Sequence, residues 1–531
     1  MHLFKPFPAW PLLMLVIVSC NTRPVMSQSP NNYDLVKDFG AKADDKTDNY
    51  AAFVKAAQTI SAAGGGKLNI PAGKYYIASY KNHKDNVSDV LFKNCKSLII
   101  TGNNATIRVN GNFWRNADYQ LNGIPYHYAY NNTVCPLKLM NCSNVLVKDL
   151  VLYGEVDKMR KQDGVVEGES YGIYISDDNE TDASSKVTLQ NVTTHHFAAD
   201  GMLIKSNGSD ILIDHCRSYA NARQGLSIVK GKNTRVLNSS FDSTGHTGAY
   251  GWHMPGAGID VENEFGPGKL NDVLIRNCNI RGNNGFQVVT TLPSEHVTID
   301  SCFISDNTAG YSDALNGVGL YSLRSALTNC IIFGGIQVDI ADQPYKGPVV
   351  QEFSNNIVYS GNRCIVSADF ARPANITGNI FIMLPRPDMT NYFTYIQNPN
   401  CNYRNNIVVF HPDRLKKDPN TVMSLVQNAG SAVDDIWLVN DNATPDASQR
   451  SVFYMPALNG SKIVERQFFP NKELPHRYSF PFNRYIPDDK VKYILGRPLI
   501  TAYNQSAFDR RMLADAAALR KYANDVMAST Q

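Results

Sequence analysis

Past residue 145, the apolar positions of the chain keep returning to one short phrase. It reads VTLQNV from Val187, ILIDHC from Ile211, TRVLNS from Thr234, VLIRNC from Val273 and VTIDSC from Val297. Successive starts lie 24, 23, 39 and 24 residues apart. Three intervals therefore fit one coil length, and the fourth fits the same coil with roughly fifteen residues inserted. Alternation inside the phrase has the period of two that marks a strand, and no coil carries a helix-length 3.6-residue pattern. A second short strand follows a glycine in each coil: MLI after Gly201, LSI after Gly225, IDV after Gly258 and FQV after Gly285. Short strands, turn-rich joints and a constant period predict an all-β solenoid, a parallel β-helix in which like residues stack on like.

The same stacking accounts for the cysteines. Cys216, Cys278 and Cys302 occupy one slot of the phrase, with Cys330 of SALTNC in the next coil. They read as an internal column of small apolar groups rather than redox chemistry. Asn191, Asn238 and Asn277 stand at the turns, where asparagine tolerates the left-handed conformation. A solenoid needs capped ends. Residues 47–62, TDNYAAFVKAAQTISA, predict a capping helix with Tyr50, Phe53, Val54, Ala57 and Ile60 on one face. The stretch VKDFGAKADDKTDNYAAFVKAAQTISAAGGGKLNIPAGKYYI resembles the opening of the pectate-lyase-like superfamily. That resemblance implies a right-handed parallel β-helix but does not choose a reaction, because one fold hosts many activities. The expected boundaries are a catalytic solenoid over 34–429 and a C-terminal extension, 430–531, ending in a helix packed back on the solenoid.

The glycine-led strands assign side chains to faces. With Ile259 and Val261 inward, Asp260 and Glu262 turn outward. Stacking then predicts one outer strip that collects Lys205, Arg223, Gln224, Asp260, Glu262 and Gln287, with Asp200 one coil earlier. The insertion GHTGAYGWHMPGAGIDVENE, bearing His246, Tyr250, Trp252 and His253, is expected to loop out beside the strip as one wall of a groove. Each feature also has a plain reading. Alternating carboxylates are commonly a solvated strand face, Trp252 could simply anchor its loop, Arg223 could pair with Asp200 or Asp260, and His195-His196 could be a polar corner.

Composition sets broad limits. With 43% hydrophobic residues, 19% charged and a formal charge of +3, the chain reads as globular, and no basic tract points to nucleic acid. Its start, MHLFKPFPAWPLLMLVIVSC, has the length and polarity of a signal peptide over 1–19. The run Ile17-Val18-Ser19-Cys20 resembles a bacterial lipobox, which implies lipidation of Cys20, a linker over 20–33 and an extracytoplasmic protein anchored to the outer membrane. Nine cysteines follow Cys20, an odd number that does not suit a complete disulfide framework.

The phrases ARQGLSIVKGKNTRVLNSSF and PGAGIDVENE are similar to ones found in bacterial β-helix carbohydrate-active proteins of lyase type. The resemblance implies a polysaccharide lyase that cleaves a uronate polymer by β-elimination. Such an enzyme neutralises the C5 carboxylate, removes the C5 proton and protonates the leaving oxygen. Arg223 or Lys205 would engage the carboxylate, and Asp260, Glu262 and Glu264 would hold calcium if a metal assists. His246, His253 and Tyr250 are candidate acids and bases, with Lys230 and Arg223 as alternatives from the lyase resemblance. Gln224, Trp252, Gln287 and Asp200 are candidate substrate contacts.

Three other classes stay open, epimerase activity among them. Paired carboxylates among Asp200, Asp260 and Glu262 would suit a glycoside hydrolase, and a non-catalytic glycan-binding solenoid would need neither acid nor base. The leading expectation is a monomeric lyase for acidic polysaccharides. Glycosaminoglycans are favoured over pectin, because a mildly basic chain suits a densely anionic polymer. A lipid-anchored, β-helical degrading enzyme resembles the polysaccharide-utilisation machinery of gut-type Bacteroidota.

Overall fold

A computed structural model describes residues 31–78, 89–110, 114–121, 124–131, 135–158, 170–179, 181–306, 317–338, 351–360, 365–367, 374–383, 394–396 and 401–410. After 410 it describes short strands as far as 484–487 and three positions within 517–521. The leader, Cys20 and nearly all of the expected C-terminal helix lie outside the described residues.

The repeat read from the sequence is the register of the structure. Val187 pairs with Ile211, Ile211 with Thr234, Thr234 with Val273 and Val273 with Val297, always in parallel. Each coil contributes to three strand faces. The first face runs through Ile173–Ser176, the start of Met202–Asp214, the start of Leu226–Leu237, Ile259–Val261, Val288–Thr290 and Val318–Leu320. The second carries the repeated phrase. The third runs through Arg217–Tyr219, Ser240–Asp242, Asn279–Arg281, Phe303–Ser305 and Ile331–Phe333. Parallel pairing continues past residue 429, since Ser431–Val433, Ile436–Val439 and Arg484–Pro487 still add to the ladder. The chain therefore folds as a parallel β-helix whose inward Ile, Val and Leu side chains form one continuous core.

Turn chemistry fixes the coil length. Asn191, His215, Asn238, Asn277, Ser301, Asn329, Asn355 and Asn405 all have φ between 50° and 58°, the left-handed region in which asparagine is favoured. The residue after each of these turns points inward. In four coils it is a buried cysteine, and each sulfur sits near two backbone carbonyls, as Cys278 Sγ does at 3.5 Å from Val236 O and 3.3 Å from Arg276 O. From the next coil the slot passes to asparagine. Asn356 Oδ1 accepts the Cys330 N–H at 2.9 Å, Asn379 Oδ1 the Asn356 N–H at 3.0 Å, and Asn406 Oδ1 the Asn379 N–H at 3.0 Å. A stacked amide can both accept from the coil below and donate to a carbonyl, so the column stays satisfied while buried.

The helix Tyr50–Ala62 caps the N-terminal end and buries Phe53, Ala56, Ala57 and Ile60. It begins later than expected, because residues 44–48 form a strand. Ala56 takes the buried place expected of Val54, which is only half-buried. On the third face, His195 is stacked between Tyr153 and Tyr219, with ring centroids 4.7 Å and 4.8 Å away. Burial lowers its pKa to about 3.

Candidate functional site

The insertion is split by the first-face strand Ile259–Val261. One part, 243–258, precedes the strand and the other, 262–269, follows it. The first part does not build a groove wall. Tyr250 is buried against Val156, Ala198 and Ala222. The buried His253 donates its backbone N–H to Ala222 O at 2.8 Å, and its Nε2 lies 3.4 Å from the Tyr250 hydroxyl. Large apolar surface favours burial, so this loop folds down and clasps the turn that presents Arg223. Trp252 stays 41% exposed, its ring against Gly256, and His246 is exposed; neither lines the cleft described next.

That cleft, about 260 Å³, lies over the N-terminal half of the first face. Its floor is Tyr174 and Leu203, adjacent by register, together with Val229. Tyr171 joins Tyr174 with ring centroids 5.4 Å apart. Lys138 stands over the Tyr174 ring at 4.8 Å and pairs with Asp89 at 2.7 Å. Burial raises the Asp89 carboxyl above its ordinary pKa, against the opposing pull of Lys138. Lys205, Arg223 and Glu264 close the other side, Glu264 arriving on the second part of the insertion. The Ser170 hydroxyl, buried in the wall, has no hydrogen-bond partner among the described residues.

Beside the floor, along the row that runs from Leu203 through Ser227 to Asp260, lies a buried polar cluster. Arg223 holds Asp200 at two points, Nε to Oδ1 at 2.7 Å and Nη2 to Oδ2 at 2.6 Å, while Ser227 Oγ donates to Oδ2 at 2.9 Å. Gln224 Nε2 donates to Asp260 Oδ2 at 2.7 Å, and Gln224 Oε1 accepts the Ala257 N–H at 2.8 Å. Asp260 is 3% exposed, and its Oδ1 has no hydrogen-bond partner among the described residues. Burial drives its pKa well above the usual carboxylate value, and the charges of Glu262, Asp200 and Glu264 push the same way against Arg223.

Several predicted positions therefore change role. Asp260 does face outward between the inward Ile259 and Val261, but it, Asp200 and Gln224 are buried in a hydrogen-bonded cluster and are not open on the strip. Gln287 is not on the strip at all, because Val288 pairs with Ile259 and Val289 takes the place beside Asp260. The inward apolar position sets register, and in this coil the glycine sits two residues earlier than in its neighbours. Gln287 instead binds Asn283 in a buried turn. The triplet Asp260, Glu262 and Glu264 does not fit calcium. Asp260 is buried and held by Gln224, whereas Glu262 and Glu264 are exposed and Glu264 turns to Lys205 at 3.6 Å. Among the described residues no three His, Cys, Asp or Glu side chains converge where a cation could sit. Asp89, Lys138, Ser170, Tyr171 and Tyr174 escaped the sequence reading; they precede Gly201, which leads the first of the strands from which the strip was assembled.

No family model matches the chain. Over 250 residues it is 27% identical to mannuronan C5-epimerase AlgE2 of Azotobacter vinelandii, a stretch covering 43% of this chain and 22% of that protein. AlgE5 of the same organism matches at 27% over 254 residues, 44% of this chain and 23% of the relative. The chain thus spans under a quarter of the length of either relative. Among solved structures, it is similar to the A-module of Azotobacter vinelandii mannuronan C-5 epimerase AlgE4, with TM-score 0.38, 15% identity and 76% and 97% of the two chains covered. It is also similar to a tailspike protein double mutant of E. coli bacteriophage HK620 bound to a pentasaccharide, with TM-score 0.44, 11% identity and 80% and 81% covered.

Proposed function

We propose that this protein acts on a uronic-acid-containing polysaccharide by removing the proton at C5. The observation that carries the reading is the composition of the cleft, where three cations, two tyrosines and a carboxyl of raised pKa share one strand-floored space. Cations select an anionic ligand, and tyrosine rings suit the apolar faces of sugars. Arg223, oriented by Asp200, is placed to neutralise the C5 carboxylate and so acidify the C5 proton. Asp89 is the candidate base. A carboxyl whose pKa is raised toward the working pH is better matched to proton transfer than an ordinary one. Lys138, 2.7 Å from Asp89, is the partner that holds its charge. Asp260, Glu262 and Glu264 do not fit a metal, so the neutralisation falls to Arg223.

Once the proton has left C5, the intermediate can expel the C4 oxygen or take a proton back on the other face. β-Elimination is the outcome we favour, in keeping with the lyase-like phrases at 222–264. Inversion at C5 is the second reading, and it is favoured by relatives that are named mannuronan C5-epimerases. Glycosaminoglycans and alginate-type polymannuronate are the leading substrates. The test is to incubate the protein with hyaluronan, chondroitin sulfate, alginate and polygalacturonate and follow the ultraviolet absorbance of an unsaturated uronate. Absorbance that rises on one polymer supports elimination. Flat absorbance with new reducing ends on any of them would overturn the C5 reading in favour of hydrolysis.

A further inference from the structure

We propose that Lys205, Lys230 and Phe265 form a separate anion subsite that grips a carboxylate or sulfate on a sugar unit beside the reacting one. The inference deepens the polysaccharide reading above and rests on it for the identity of the ligand.

The two lysines are brought side by side by an irregularity in pairing. Ile204 pairs with Ile228, but the next pair is Lys205 with Lys230, so Val229 is an extra residue. Without that bulge Val229 would stand opposite Lys205. Adjacent strands lie about 4.8 Å apart, and like charges directly opposite one another are destabilising. A bulge that creates such a pair makes sense if an anion joins them.

Each ammonium has a carboxylate within ion-pair distance but, among the described residues, none that it hydrogen-bonds. Lys205 meets Glu264 at 3.6 Å, and Lys230 meets Asp177 at 3.6 Å, both beyond direct hydrogen bonding. Asp177 already accepts from the Asn207 backbone N–H at 2.5 Å and from Asn207 Nδ2 at 2.9 Å. Among the described residues neither ammonium donates a hydrogen bond to a side chain, in contrast to Lys138 with Asp89. Both ammoniums stand over one aromatic ring, Lys205 Nζ at 5.0 Å and Lys230 Nζ at 4.9 Å from the Phe265 centroid. The ring holds the pair together while leaving the N–H donors available. Phe265 is 40% exposed and rides on the same short loop as Glu264, which lines the cleft. Lys205 lines the cleft as well, so a polymer crossing the floor would reach the pair.

Lys205 stands one strand step from Tyr174 and Lys230 two, roughly 5 and 10 Å along the solenoid at the usual strand spacing. A group bound there belongs to a sugar other than the one over Tyr174. The clamp therefore reads repeated charge along a polymer.

Equilibrium binding, measured by calorimetry at low salt with size-defined fragments of hyaluronan, alginate, chondroitin sulfate and neutral dextran, tests this directly. The Lys205→Gln/Lys230→Gln double variant is expected to lose affinity for acidic fragments by about tenfold for each lysine, as loss of a charge-assisted contact predicts. The Lys205→Arg/Lys230→Arg variant keeps the charge and should bind within a few-fold of wild type. Its binding guards against an effect of misfolding, as do thermal melts of both variants. Binding of hyaluronan or alginate identifies a carboxylate as the ligand group, whereas binding confined to chondroitin sulfate identifies the sulfate ester. Equal affinity of the glutamine variant and wild type would overturn the subsite, and so would wild-type protein that binds none of the acidic fragments. Because binding is read without turnover, the subsite can stand where the C5 chemistry fails, and the reverse.

Discussion

Arg223 and Asp200, from neighbouring coils, meet through two parallel contacts at 2.7 Å and 2.6 Å, with the Asp200 side chain wholly buried and the Arg223 side chain 20% exposed at the cleft. The geometry makes Arg223 both a prop of the solenoid and one of the three cations that line the cleft. Breaking a buried ion pair by removing one partner leaves an uncompensated charge. Arg223→Met should therefore cost about 3 kcal/mol or more, read from denaturant midpoints. Combining it with Asp200→Asn should recover much of that stability. Activity should not return in the double variant, since the guanidinium at the cleft is gone.

Asp89 is expected to carry proton transfer. Asp89→Asn keeps size and polarity but cannot take a proton, so kcat on the preferred polymer should fall by about a hundredfold or more. In the wild type the acid limb of the rate profile should fall at a pH above the ordinary aspartate range, because burial raises this pKa. An acid limb at the ordinary aspartate pKa, with an active asparagine variant, would remove Asp89 from the reaction.

Asp260 gives a pH signature in stability alone. Its folded pKa lies well above the unfolded value. Between the two, the folded state holds a proton that the unfolded state has released, so stability falls as pH rises through this window. The loss amounts to about 1.4 kcal/mol for each pH unit between the two pKa values. Asp260→Asn cannot ionise and should lie on a flatter curve, gaining on wild type above the ordinary carboxylate pKa and converging with it in more acid solution. Thermal melts across the pH range measure the difference.

His195 works in the opposite sense. Its pKa is lowered to about 3 by burial between two tyrosine rings. Unfolding lets it take up a proton anywhere between that value and its ordinary one, near 6.5. The stability linked to His195 is therefore complete above about pH 6.5 and is lost as pH falls toward 3. His195→Phe preserves a flat ring in the stack and should shift acid unfolding to lower pH. An unchanged acid midpoint would mean that the ring takes up its proton in the folded state.

The solenoid was legible because its signals are local and repeated. Val187, Ile211, Thr234, Val273 and Val297 carry the same phrase and share one register, and the asparagines at the turns occupy the left-handed region their side chains favour. The site was legible only in part. Lys205, Arg223 and Glu264 do line the cleft, but Asp89 and Lys138 lie at first-face strands that no glycine leads, so the glycine rule did not reach them. Gln287 was misplaced because a glycine is a poorer guide to register than the inward Val288. The insertion misled through its chemistry. Tyr250 and His253 suggested catalysis, yet their packing against Ala222 is a tertiary contact that periodicity does not reveal.

The account stands or falls on the C5 proton, and nuclear magnetic resonance in deuterated water reads that proton directly. Hyaluronan, chondroitin sulfate, alginate and polygalacturonate fragments would each be incubated with the protein and their uronate signals followed. Removal of the C5 proton predicts that, on at least one polymer, its signal is lost as a C4–C5 double bond forms, or is replaced by deuterium at an inverted centre. Cleaved chains that keep every C5 proton would contradict it, and so would intact chains with no exchange on any of the four.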